Sequence, residues 1–251
     1  MRPMSVDPNR PRAARIYDHY LGGRHNFAVD RAVAARALAL IPDLPRIARA
    51  NRAFLHRAVR YAASRGVRQF LDIGSGIPTE GNVHEVVPSA KVVYVDVDPT
   101  AVVHARQILA GDPSTVVVQA DLHDAEQILG DPQAKALLDF TRPVCLLLVA
   151  VLHFVPDTPE LRAALRTYRD ALAPGSLIVL SHATGEVGDL ADLYTRAGTP
   201  MVLRDRGELA GLLEGWDLVE PGVVHGPAWH PDEPVADPEA YATLAAVAVR
   251  P

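Results

Sequence analysis

Gln69-Phe-Leu-Asp-Ile-Gly-Ser-Gly-Ile-Pro-Thr79 decides how this chain is read. The apolar residues Phe70, Leu71 and Ile73 carry Asp72 near their end and break into Gly74-x-Gly76. That is the pattern of a buried strand running into a glycine turn, the place where an α/β sheet holds a nucleotide-like ligand. Glycine turns the backbone sharply and lets a ligand lie against it, because no Cβ intervenes. Asp72 then selects among such ligands. A carboxylate two residues before the first glycine repels a pyrophosphate and attracts an ammonium or sulfonium. The stretch points to a cationic nucleoside, which suggests S-adenosylmethionine.

Downstream, short β-branched runs alternate with helical stretches. Strands are predicted at 67–73, 91–96, 115–119, 143–150, 175–182, 216–224 and 241–249. Helices are predicted at 81–87, 99–110, 124–139, 157–172, 186–197 and 205–214. Such alternation implies a parallel sheet covered on both faces, and the two final strands, with Pro227 to Pro238 between them, imply an antiparallel end. Upstream, residues 1–66 read as helices: Ala13, Ile16, Tyr17, Tyr20 and Leu21 recur at helical spacing and stop at Gly22-Gly23. Val29 to Ile41 stops at Pro42. Leu44, Ile47, Ala48, Asn51, Leu55, Ala58, Val59 and Ala62 mark one face of a longer helix that closes at Gly66. The expected fold is therefore α/β, a Rossmann-like seven-stranded, mostly parallel sheet with its last strand antiparallel. Residues 1–66 form an N-terminal helical cap and residues 67–251 the ligand-binding domain.

Two further acids close successive strands. Val92-Val-Tyr-Val-Asp96 ends twenty residues beyond Gly76, where a carboxylate accepts ribose hydroxyls. Asp98-Pro99 opens the next helix, which gives Asp98 to capping. Asp121 and Leu122 follow the third strand; Asp121 either accepts from an adenine amino group, with Leu122 over the ring, or caps a helix. Asp72, Asp96 and Asp121 together favour one shared ligand. The dinucleotide fingerprint lacks its third glycine, since Pro78 and Thr79 stand there. No Gly-Lys-Ser/Thr, no metal-ligand spacing and no Gly-x-Ser-x-Gly elbow is present, so no metal is expected.

The totals set bounds. The chain has 251 residues, 49% of them hydrophobic, which suits one α/β domain with a modest extension. The longest apolar run, Val144 to Leu152, is shorter than the roughly 20 residues of a membrane helix. No secretory-type apolar stretch opens the sequence, and the single Cys145 excludes an internal disulfide; a cytoplasmic location and no membrane partner are expected. The net charge of −5 hides an asymmetry: residues 1–70 hold 14 Arg against four acids, and the rest holds 11 bases against 26 acids. These arginines are spread through helical patterns without interleaved aromatics. That argues against nucleic acid and for a basic layer docked on an acidic body.

Val116–Asp121, Leu146-Leu-Leu-Val-Ala-Val-Leu-His-Phe-Val-Pro-Asp157 and Ala173-Pro-Gly-Ser-Leu-Ile-Val-Leu-Ser-His-Ala-Thr184 resemble the later motifs of class I S-adenosylmethionine-dependent methyltransferases. More narrowly, the chain resembles an actinobacterial methyltransferase-like family formerly carried as a domain of unknown function. Arg15-Ile-Tyr-Asp-His-Tyr-Leu-Gly-Gly-Arg-His-Asn-Phe27, Asn51-Arg-Ala-Phe-Leu55, Gln69 to Thr79, Asn82-Val-His-Glu85, Val95-Asp-Val-Asp-Pro99, Val219-Glu-Pro-Gly222 and Trp229-His-Pro231 carry that likeness. It implies a helical cap over an S-adenosylmethionine pocket and leaves the acceptor unnamed. It places Gly74, Ser75, Gly76, Asp96, Val97, Asp121, Leu122 and Ala150 around the cofactor, with Val97 where a polar residue is often found.

Methyl transfer asks mainly for alignment of acceptor, methyl and sulfur. A base is needed only where the acceptor must lose a proton. His153 and His182 follow the fourth and fifth strands and are the candidates for it. In the cap, Tyr17 either packs in the core or closes over the methionine end, while Asn26 and Arg52 are polar residues placed to reach a carboxylate. Ala150-Val-Leu-His153 stands where amino-group methyltransferases carry an Asn/Asp-Pro-Pro motif. That favours an oxygen, carbon or ring-nitrogen acceptor on a small molecule. Two other readings keep the cofactor: a binding protein that transfers nothing, serving as a sensor or partner-binding module, and an enzyme that retains S-adenosylmethionine for a non-methylating reaction.

Overall fold

Mostly apolar strands, buried on both faces, build the centre of the sheet. In the computed structural model, which describes residues 7–78 and 81–251, these are β1 (Gln69–Ile73), β2 (Lys91–Asp96), β3 (Thr115–Gln119), β4 (Cys145–Val149) and β5 (Leu177–Ala183), all parallel. β8 (Thr243–Val249) runs antiparallel beside β5. The order is β3-β2-β1-β4-β5-β8, so the chain winds outward one way from β1 and then the other way from β4. Ends that diverge at such a reversal leave a crevice, and ligands of open α/β sheets settle there. Gly74 and Ala150 are the first residues beyond β1 and β4.

The predicted strand at 216–224 is broken. β6 (Asp217–Leu218) pairs with residues 248 and 249, and β7 (Val224–His225) with residues 244 and 245. Between them Pro221 has no N–H to give a ladder and Gly222, at φ +82°, turns the chain. Among the described residues the sheet therefore has eight strands, two of them sharing one edge of β8, where seven were expected. The predicted helix at 124–139 is likewise two, α6 (Ala125–Gly130) and α7 (Pro132–Leu137). Pro132 cannot donate within a continuous helix, and Asp131 caps the second by accepting from the backbone of Gln133 and Ala134. Helix α4 (Val83–Val86) follows the glycine turn. Helices α5 (Pro99–Ile108), α8 (Pro159–Ala171) and α10 (Arg206–Gly211) start at the N-caps Asp98, Thr158 and Asp205, of which Asp98 is the one expected from the sequence.

Alternation along β1 sends Leu71 and Ile73 to one face and Phe70 and Asp72 to the other. The first face packs on α6, α8 and α10. The second lies under α3 (Leu44–Ser64), whose Phe54, Leu55, Ala58 and Val59 share a core with Phe70, Val92, Leu147 and Val179. Asp72 is thus carried into the α3 layer, beside Arg52. A third cluster joins α1 (Ala13–Tyr20), α2 (Ala28–Leu40) and α9 (Gly188–Arg196) through Ile16, Tyr20, Ala34, Leu190 and Tyr194. The helices predicted upstream of residue 66 therefore serve two layers: α3 covers the sheet, while α1 and α2 pack on α9.

Buried Arg15 ties α1 to the rest. Its Nε donates to Asp30 Oδ2 at 2.9 Å, its Nη1 to Thr100 Oγ1 at 3.1 Å, and Asp98 Oδ2 lies 3.7 Å away. Arg57 donates to the backbone of Trp229 and Gly226, and Arg60 to Asp232. Several arginines of the basic segment thus dock on the body of the molecule. Among the described residues no helix is long and apolar enough to cross a membrane.

Candidate functional site

A cavity of about 460 Å³ opens at the ends of β1, β2, β3 and β4, beneath α1 and α9. Its size falls within the range of small-molecule and cofactor sites. Tyr17, Arg52, Asp72, Gly74, Ser75, Gly76, Asp96, Val97, Asp121, Leu122, Ala150, His153 and His182 all line it. Asn26 is placed elsewhere. Its amide donates to Asp18 Oδ2 at 2.8 Å and to the Gly23 carbonyl, and Arg31 donates to its oxygens. Asn26 therefore orients Asp18, itself a wall of the cavity, instead of reaching into it.

The glycine turn has steric reasons. Gly74 (φ +72°) and Gly76 (φ +66°) adopt backbone conformations that a Cβ disfavours, and a Cβ on Gly74 would meet Val151 at 2.4 Å. A Cβ on Gly76 would lie 3.9 Å from that of Ala14, so α1 sits directly over the turn. Asp96 holds it from the other side: its Oδ2 accepts from Gly76 N at 2.7 Å and its Oδ1 from Asp98 N at 2.8 Å. Asp98 Oδ1 accepts from Thr100 N, the capping role assigned to it.

Two of the three acids are buried. Burial raises the Asp72 carboxyl to about 7, with nearby Arg52 lowering it and Asp96 raising it further. Burial also raises Asp96 to about 6, although the backbone N–H groups of Asp98 and Gly76 pull the other way. Asp121 is half exposed; its Oδ1 accepts from His123 N at 3.0 Å and lies 2.7 Å from His123 Nδ1. It therefore closes a local turn, and Asp124 occupies the N-cap position of α6. All three face the cleft. Two carboxyls buried with a raised pKa form a site that a cation would relieve.

A hydrogen-bonded chain crosses the cavity wall. Tyr17 Oη donates to the Ala48 carbonyl and accepts from Asn51 Nδ2, both at 3.1 Å. Ser181 Oγ donates to Asn51 Oδ1 at 2.6 Å and accepts from Ala150 N at 3.0 Å. Ala150 has φ +57°, a sparsely populated conformation for a residue with a Cβ. The chain thus connects the cap to the end of β4. Sequence reasoning missed Asn51 and Ser181, although a polar residue within the apolar stripe of α3 was a visible signal.

The two histidines differ. His182 Nδ1 lies 2.7 Å from the Ala183 carbonyl and its Nε2 lies 2.7 Å from Arg204 Nη1. The guanidinium can only donate, so Nε2 accepts and Nδ1 carries the proton. Both nitrogens are engaged, and burial pushes the ring down to about 4. Arg204 also donates to the carbonyls of Leu152 and Val155, each at 2.8 Å, and so holds the 3₁₀ turn Leu152–Phe154 that carries His153. His153 Nδ1 is buried with no hydrogen-bond partner among the described residues. Burial, then the neighbouring His182 and Arg204, hold its pKa well below the usual imidazole range. Arg204 left no signal in the sequence.

The family described as S-adenosyl methyltransferase has a model that matches residues 1–251. A candidate methyltransferase from Thermobifida fusca is 39% identical, with a TM-score of 0.92 over 99% of this chain and 98% of that one. A DUF574 family protein from Streptomyces avermitilis is 38% identical, with a TM-score of 0.92 over 98% of this chain and 100% of that one. Magnesium protoporphyrin IX methyltransferase from Synechocystis, crystallised with S-adenosylhomocysteine, is 14% identical and shares the fold, with a TM-score of 0.58 over 94% and 93% of the two chains. No curated protein matches the chain.

Proposed function

The chain belongs to the S-adenosyl methyltransferase family, and on that premise we propose that it methylates a small-molecule acceptor at oxygen, carbon or a ring nitrogen. S-adenosylmethionine is the cofactor of the family, and the raised carboxyls of Asp72 and Asp96 beside two positive-φ glycines suit it. The observation that carries the small-molecule reading is the roof. Asp72 and Asp96 are 8% and 7% exposed, and α1 lies over the glycine turn beside them, which supports an enclosed small acceptor. A cytoplasmic location belongs to the same proposal, supported by a sequence whose single cysteine leaves no internal disulfide.

The residues then divide the work. Asp96 accepts the ribose hydroxyls; Asp121, Leu122 and Val97 bound the adenine end. Asp72, Arg52, Ser75, Ala150 and the glycine turn surround the amino-acid end, and Tyr17 closes over it from the cap. Bound there, the cofactor supplies an activated methyl group on a sulfonium. The protein's own contribution is to align that group with an acceptor and to exclude water. Isothermal titration of ligand-stripped protein with S-adenosylhomocysteine tests the site, and absence of binding overturns the proposal. Labelled methyl groups from S-adenosylmethionine should appear in the small-molecule fraction of an incubated cell extract; label confined to macromolecules refutes the acceptor class.

A further inference from the structure

Resting on that reading, we propose that the α9 end of the cavity is an acceptor subsite for an uncharged aromatic hydroxyl compound, with His153 as the base that receives its proton. Leu44, Ile47, Phe154, Leu190, Tyr194 and Met201 form this end. None of the six carries a charge. A carboxylate or ammonium on the acceptor would lose its hydration here without gaining a partner. Phe154 and Tyr194 stack with ring centroids 5.9 Å apart at 27°, which gives the wall a flat aromatic element. The Tyr194 hydroxyl lies 3.0 Å from that of Tyr20, so it is already satisfied and makes no demand on a ligand.

His153 joins this wall to the cofactor end. Its ring lies 4.3 Å from that of Phe154, edge to face, and it lines the same cavity. Of the two buried imidazoles that line the cavity, His182 has both nitrogens committed, whereas the buried His153 Nδ1 has no hydrogen-bond partner among the described residues. Two donor bonds from Arg204, to the Leu152 and Val155 carbonyls, fix the position of the turn bearing His153. In the step, the acceptor hydroxyl gives its proton to His153, its oxygen bonds to the methyl carbon, and the carbon–sulfur bond breaks with its electron pair passing to sulfur. Of the hydroxyl acceptors a base can serve, a phenol, whose pKa is about 10, gives up its proton to an imidazole more readily than an aliphatic alcohol does.

The test uses the full chain saturated with S-adenosylhomocysteine and three probes: 2-naphthol, 2-naphthoate and 2-naphthylmethylamine. Direct titration by probe fluorescence should show 2-naphthol binding at least tenfold more tightly than either charged probe. Tyr194→Ala should weaken that binding about tenfold while S-adenosylhomocysteine affinity is kept. His153→Asn should leave both affinities within twofold and cut methyl transfer to 2-naphthol about 100-fold. Tyr194→Phe, which keeps the ring, should bind 2-naphthol like the parent, so a folding defect in the alanine variant does not decide the matter. Equal or preferred binding of a charged probe, or undiminished transfer in His153→Asn, overturns the inference and leaves the cofactor site standing. Loss of S-adenosylhomocysteine binding in the parent chain removes the reading beneath it.

Discussion

Neutralising Asp72 should stabilise the ligand-free protein, increasingly so as pH rises. Burial lifts its carboxyl from 3.8 to about 7 against the opposing pull of Arg52. One unit corresponds to about 1.4 kcal/mol, so roughly three units set an upper bound of about 4 kcal/mol. Below about pH 4 both the folded and the unfolded chain hold this proton. From there to about 7 the folded chain keeps a proton that the unfolded chain has released, so the stability carried by the protonated carboxyl declines as pH rises and is gone above 7. Asp72→Asn preserves the shape and abolishes the titration. Urea unfolding without ligand should find the variant more stable by about 1–2 kcal/mol at pH 5 and by up to about 4 kcal/mol at pH 8.5. For a chain of this length the larger figure is a rise in Tm of roughly 8–16 °C. The same variant should bind S-adenosylmethionine about tenfold more weakly at pH 8.5, equivalent to 1.4 kcal/mol. A stability difference that does not change with pH, or a parent more stable than the variant at pH 8.5, refutes the reasoning.

Two further outcomes follow from contacts in the structure. Gly74→Ala places a Cβ on Val151 at a position with φ +72°, and should cost about 1–3 kcal/mol in urea unfolding and abolish S-adenosylhomocysteine binding in calorimetry; unaltered binding would show that the turn tolerates a side chain. Arg15→Met removes the partner of Asp30, which is fully buried, and leaves Asp98 nearby; a loss of about 3–5 kcal/mol is expected, and a loss under 1 kcal/mol would deny Arg15 its clamping role.

The sheet was legible because its signal is local. Val92 to Val95, Val116 to Val118 and Cys145 to Val149 are continuous apolar runs, as strands covered on both faces require. The Asp98 cap was legible for the same reason, since Asp98-Pro99 announces a helix start within two residues. Pro132 and Pro221 each lie inside a hydrophobic pattern that predicts one element, and the missing backbone donor divides it into two. Asp72, Gly74, Ser75, Gly76, Asp96, Asp121 and Leu122 line one cavity because glycine and acid spacing puts them at the ends of strands that the sheet order brings together. Asn26 shows the opposite failure, a polar residue assigned to a ligand that instead satisfies the neighbouring carboxylate of Asp18.

What stayed hidden is joined across long separations. Asn51 meets Ser181 over 130 residues, and Arg204 meets His182 only because β5 and the chain after α9 converge. No period or spacing encodes such a meeting. These pairs nonetheless decide the chemistry: two histidines equivalent in sequence become unequal once Arg204 occupies one of them. The acids show why the rest of the site looks as it does. A fold that buries Asp72 and Asp96 within one rim carries a cost in the empty protein that apolar residues would avoid. Such a cost is offset when a positively charged ligand enters. On the proposed reading, the instability of the empty rim and an affinity for a sulfonium nucleoside are one property, and a substitution that removes the first should weaken the second.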